Sequence, residues 1–139
     1  MDDRNRLNYL SLALRVIGLI FIFGLFLMMR FIFTSGWTWE PRQSEYEQMM
    51  MGLYATLGVF LILAAPNPAR HRSLIQFTIW SSVVHGGIML VQALADDSER
   101  ANLAGDVPAL FLVAIVLWGL LPSGASSSQR RPTAPTHSR

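Results

Sequence analysis

Four long apolar runs, separated by short polar blocks, set the pattern of this chain. They predict helices over about residues 7–33, 49–65, 73–94 and 107–121, because roughly 20 apolar residues suffice to cross a bilayer. The first run is long enough to span with tilt. The second, with 17 residues, and the fourth, with 15, are short; for the fourth, a buried or re-entrant segment is the alternative. Pro66, Asn67 and Pro68 stop the second run, since proline lacks the N–H needed by a helix ladder. Ser73 then offers an N-cap for the third run, so runs two and three read as an antiparallel hairpin. Asp106 followed by Pro108 marks the start of the fourth. Beyond residue 121 the sequence PSGASSSQRRPTAPTHSR has too little apolar surface to offset the entropy of ordering, and 122–139 reads as a disordered tail.

The fold expected is therefore all-α: an integral membrane four-helix bundle of antiparallel up-down topology, occupying residues 1–121. Composition agrees. Of the 139 residues 52% are hydrophobic and 14% charged, against about 25% charged in an ordinary soluble domain. Arg4 and Arg6 ahead of an apolar run imitate a secretory signal, but the run is too long and no A-x-A site follows, so it reads as an uncleaved span. Trp37, Trp39 and Tyr46 in the first loop suit the headgroup level.

Charge orients the bundle. All eleven basic residues are Arg; seven of them (Arg4, Arg6, Arg70, Arg72, Arg130, Arg131, Arg139) fall on one side of the predicted spans. The excess of positive charge inside places both termini in the cytoplasm of a plasma membrane, the inner membrane if the arginine-only usage reflects a GC-rich bacterial genome. Seven of nine acids fall on the opposite side. The net charge of +2 gives no footprint for nucleic acid. The expected partners are the lipid bilayer and a second copy or another membrane protein.

The third run carries the candidate chemistry. Thr78, Ser81, Ser82, His85 and Gln92 share one side of a helix with Met89, a polar stripe that lipid cannot satisfy. His85 lies near mid-membrane, where an ionisable residue is a functional candidate, able to relay a proton or meet a quinone, haem or metal. Equally, a neutral His bonded across helices to a Ser, a Thr or a backbone carbonyl is ordinary glue. With one intramembrane His, bis-His haem within one chain is excluded.

Ser82 and Gly86, with Ala93, make a small-residue surface, as do Gly52, Ala55 and Thr56 on run two. Arg15, sharing a face with Asn8, Ser11, Gly18 and Ile22, is a candidate buried charge or a side chain that snorkels to the interface. Met28, Met29, Met49, Met50, Met51 and Met89 gather towards the outer half, where thioethers with an imidazole could suit Cu(I). No M-x-x-M pair aligns two sulfurs, and methionine is also a common gap filler. The chain has no cysteine, which excludes disulfides, thiolate metal sites and thiol catalysis. It also lacks a phosphate loop, G-x-S-x-G and H-E-x-x-H, so no catalytic residue, metal site or cofactor is expected.

The words RSLIQF, WSSVVH and GDVPAL, within 54–94 and 99–110, resemble a family of short bacterial four-helix membrane proteins that is known only as a domain of unknown function. The resemblance implies the four-helix fold and no activity. The architecture is also loosely similar to that of DoxX-like membrane proteins, with no shared motif that carries a function across. On sequence, the first reading is an interaction or accessory subunit; the alternative is a transport or redox component working through the His85 stripe.

Overall fold

The computed structural model describes residues 3–27 and 44–122, and among them there are four α-helices and no strand. Helix α1 spans Asp3–Leu19 and continues through a π-helical turn, Ile20–Gly24. Helix α2 spans Ser44–Ala64, α3 Arg72–Ala95 and α4 Asp106–Leu120. A 3-10 helix, Pro68–His71, links α2 to α3, and a second, Asp97–Leu103, links α3 to α4. The remainder of the first predicted span, the loop bearing Trp37 and Trp39, Met28 and Met29, and residues 123–139 of the tail lie outside the described residues.

Three stretches, Asp3–Leu27, Pro68–Ala95 and Glu99–Leu120, are long and apolar enough to cross a membrane. The apolar part of α2, Gln48–Ala64, is shorter. The helices are apolar outside as well as inside: Leu12, Phe23, Leu63, Phe77, Val91 and Ile115 are all exposed, each by more than half. An apolar surface on this scale is costly in water and expected in lipid. The interior is apolar too, and its fully buried side chains include Leu10, Leu14, Leu61, Ile75 and Leu117.

Close backbone approach fixes how α1 meets α2. A Cβ on Gly18 would lie 2.7 Å from the Gly58 carbonyl oxygen and 2.7 Å from Ile62; one on Gly58 would lie 2.6 Å from the Gly18 carbonyl oxygen. Only glycine fits both positions, so this pair sets the helix separation. Of the expected small surface of α2, Ala55 is half-buried, whereas Gly52 and Thr56 face away from the other described residues. The Ser82–Gly86 surface does pack inward, with Gly86 against Leu110 and Phe111 of α4. Further along the same seam Trp80 meets the Trp118 ring edge-on at 5.7 Å, and Arg72 donates to the Pro122 carbonyl at 2.7 Å. Arg6 donates to the Gly119 carbonyl at 2.8 Å, tying α1 to the end of α4.

Two helix starts differ from expectation. The residue before α3 is His71 and the helix opens at Arg72, so Ser73 lies inside the first turn and does not cap it. The 3-10 turn Pro68–His71 feeds directly into α3 and leaves no extended residue at position 73 to act as a cap. Likewise Gly105 precedes α4, and Asp106 is its first helical residue with no capping bond from a side chain. There its carboxylate still faces the positive end of the helix dipole. The expected loop at 95–105 is largely helical, and an Arg100–Asp97 ion pair at 2.8 Å and an Asn102–Glu99 hydrogen bond at 2.7 Å brace it.

A candidate polar site crossing the four helices

A chain of contacts links α1, α2 and α3, and α4 brings a charge near it. Phe21, in the π-helical turn of α1, sits edge-on to the Tyr54 ring of α2 with centroids 4.9 Å apart. The Tyr54 hydroxyl lies 2.6 Å from Nδ1 of His85 on α3. Asp106, the first residue of α4, interacts electrostatically with both Tyr54 and His85. All three polar residues are half-buried.

Local sequence explains the assembly. A π turn holds an extra residue per turn, which re-aims side chains, and such turns cluster at functional sites. Here it presents Phe21 to Tyr54, while Gly24 tucks beside Ile20. Tyr54 is ten residues from the end of α2 and His85 ten from the end of α3, so at ~1.5 Å per residue each is ~15 Å from that end. The segment Asp97–Leu103 packs back along α3, and α4 therefore begins below the end of α3; with Gly86 opposite Leu110, Asp106 lies more than one turn from the level of His85, towards that end.

Chemically, a tyrosine hydroxyl donates to an unprotonated imidazole nitrogen. A Tyr54 O–H···Nδ1 bond holds His85 as the Nε2–H tautomer, which leaves Nε2–H for an anion or a solvent molecule. An imidazole with a carboxylate in electrostatic range is a couple that can hold one exchangeable proton. Among the described residues no three His, Asp or Glu groups gather as a metal site. Met49 and Met50 are exposed, and Met51 and Met89 half-buried.

The stripe on α3 divides. Thr78 is fully buried and its hydroxyl donates to the Leu74 carbonyl at 2.9 Å; Ser81 donates to the Thr78 carbonyl at 3.2 Å. Both hydroxyls thus bond their own helix backbone, as they readily do in an apolar setting. Ser82 is buried against the neighbouring helices and Gln92 is exposed. Among the described residues, His85 is the one of the five stripe residues whose side chain bonds a side chain of another helix. That partner is a tyrosine, not the hydroxyl of Ser or Thr or a carbonyl expected from sequence.

Arg15, a candidate buried charge, is exposed. The inward face of α1 is set by Leu10, Leu14, Ile17 and Phe21, and Arg15 falls on its flank. It lies one turn from Gly18, which meets Gly58 and Ile62, so Arg15 is level with the end of α2 and not beside α3. A long side chain there reaches the polar loop after Ala64 without a buried partner.

Tyr54 and Asp106 were not singled out as site residues on sequence. The legible signals were a tyrosine inside an apolar run, whose hydroxyl needs a partner, and an acid at the head of a membrane helix. No curated protein and no solved structure matches the chain. A family profile covers residues 5–136, nearly the whole sequence, and the chain belongs to that family, DUF6632, a family of unknown function.

Proposed function

We propose that this chain is a four-span protein of a plasma membrane, with both termini cytoplasmic, that works as an accessory subunit of a transport or redox system. Its Tyr54–His85–Asp106 row accepts and returns one proton on the non-cytoplasmic side. The topology rests on the arginine distribution and on paired contacts. Gly86 with Leu110, Trp80 with Trp118 and Arg72 with Pro122 descend one helix as they ascend the other, which supports α3 and α4 running antiparallel. Gly18 with Ile62 and Phe21 with Tyr54 support the same for α1 and α2.

The observation that carries the function is the row itself: a hydroxyl, an imidazole and a carboxylate from three helices, placed within the span. On the arginine-rich side of it, the buried side chains among the described residues are apolar except Thr78, whose hydroxyl bonds its own helix, and Ser82. Few polar groups are thus at hand to carry a proton from His85 to that side. That favours a proton-binding site and disfavours a channel.

Histidine-selective 15N NMR of the purified protein across pH tests this. Asp106→Asn shifts the His85 titration midpoint, because it removes a charge that acts on the imidazole. An unchanged midpoint refutes the couple.

A second reading, pure helix association, has its own support. Gly52 and Thr56 present a small surface on the outside of α2, where a second copy could approach closely. Gly52→Leu abolishing a cross-linked dimer while leaving the His85 titration intact would favour it.

A further inference from the structure

We propose that the outer seam between α3 and α4 is a binding site for one anionic phospholipid, its phosphate on Arg72 and an acyl chain along the seam. A cleft of about 210 Å³ opens beside Arg72, Gln76 and Trp80. It shares Ile79 and Trp118 with a trough of about 320 Å³ whose other walls include Val83, Phe111, Ile115 and Gly119. The trough is apolar throughout; the cleft is polar at one end. From Arg72 to Val83 is eleven residues of α3, or ~16 Å at 1.5 Å per residue. That is about half of the ~30 Å hydrocarbon thickness, the depth of one leaflet.

Charge selects the headgroup. Arg72 spends one donor on the Pro122 carbonyl, and a guanidinium has five N–H groups, so others remain for a phosphate. Arg70 is exposed on the preceding turn, and Arg6 is bonded to Gly119 at the edge of the trough. Among the described residues Asp3, in the same first turn of α1 as Arg6, is the acid nearest in sequence to this basic group, which keeps a net positive charge. Trp80 and Trp118, both more than half exposed and in ring contact, flank the boundary between the cleft and the trough. The proposal depends on the helices lying in a bilayer and is independent of the Tyr54–His85–Asp106 row.

Native mass spectrometry of the detergent-purified full chain, titrated with phosphatidylglycerol or phosphatidylcholine of matched acyl chains, tests it. The wild type retains phosphatidylglycerol about fivefold better, the scale of one arginine acting on one anionic headgroup. Arg72→Gln removes that preference. A Cβ at Gly119 would meet nothing within 4 Å, so Gly119→Leu fills the trough without disturbing the bundle and lowers retention of both lipids. Equal retention of the two lipids by the wild type, a preference that survives Arg72→Gln, or undiminished retention by Gly119→Leu, each variant having wild-type helicity, overturns the assignment.

Discussion

Tyr54→Phe is the sharpest perturbation available, because it removes one atom. The Phe ring keeps the edge-on contact with Phe21 at 4.9 Å, so the aromatic packing stays. What goes is the 2.6 Å bond to His85 Nδ1. Interhelical hydrogen bonds in membranes average ~0.6 kcal/mol and reach ~1.7. This one is short and half-buried, and its loss leaves a ring nitrogen without its partner, so about 1 kcal/mol is expected. Tyr54→Ala would lose the ring as well, at ~3–5 kcal/mol, and would say nothing about the bond.

The measurement is a double-mutant cycle of Tyr54→Phe and His85→Leu, read as reversible SDS unfolding in mixed micelles followed by circular dichroism. If the bond couples the two helices, the double variant is less damaged than the sum of the singles, with a coupling of ~0.6–1.7 kcal/mol. Singles that add to within ~0.3 kcal/mol would refute the reasoning, because two independent residues would then be sharing a site by proximity alone.

Three other outcomes follow from the geometry. Gly18→Val and Gly58→Val each drive a side chain into the facing helix backbone and should cost ~2 kcal/mol or more in the same unfolding assay; Gly87→Ala meets nothing within 4 Å and should be neutral or stabilising by up to ~1 kcal/mol. Arg15→Gln, at an exposed position, should change stability by less than ~0.5 kcal/mol, and a larger loss would restore the buried charge expected from sequence. Single cysteines at Ser44 and Ser98 in this cysteine-free chain should react with an impermeant thiol reagent on intact cells, and cysteines at Ala69 and Ser127 should not; labelling at Ala69 would sink the four-span topology.

Helix existence was legible in the sequence because hydrophobic runs report it directly: the expected 73–94 became Arg72–Ala95 and 107–121 became Asp106–Leu120. Helix α2 begins five residues before the expected 49, since Ser44–Gln48 is polar and hydropathy has no view of a helix continuing out of the apolar zone. The small pair Ser82 and Gly86 was legible for the same reason that it packs, a four-residue repeat on one face. The Gly18–Gly58 crossing was not, because either glycine alone looks like any glycine in a membrane helix, and their pairing is a fact about two helices at once. His85 was found from its own chemistry. Its partners were not, because periodicity ranks residues along one helix and cannot say which residue of the next arrives opposite. Tyr54 is brought there by the hairpin at Pro66, and Asp106 by the packing of Asp97–Leu103 along α3. For Arg15 the sequence left a buried charge and a snorkelling side chain open, because the reach to polar surroundings is set by where the neighbouring helix ends, which one helix alone does not report.

The short fourth helix and the polar row have one physical origin. Helix α4 has 15 residues, about 22 Å, less than a bilayer's hydrocarbon core of ~30 Å. The deficit is made up by Asp97–Leu103, whose 3-10 backbone satisfies its own hydrogen bonds within the segment and packs against α3. Starting α4 below the end of α3 places the first N–H groups of a helix, which have no internal partner, inside the protein and next to an acid. Asp106 occupies that position, and its negative charge is held by the helix terminus on one side and faces His85 on the other. A longer α4 would lift the acid to the membrane surface and out of range of the imidazole. The shortness of α4 thus supplies the proposed proton site with its carboxylate. Extending α4 by one turn, through three or four alanines inserted after Val107, should therefore disconnect Asp106 from the His85 titration while leaving the Tyr54–His85 coupling in place. A His85 titration unchanged by the insertion, yet sensitive to Asp106→Asn, would show that the acid follows the imidazole whatever the length of the helix, and the structural origin argued for the site would fail.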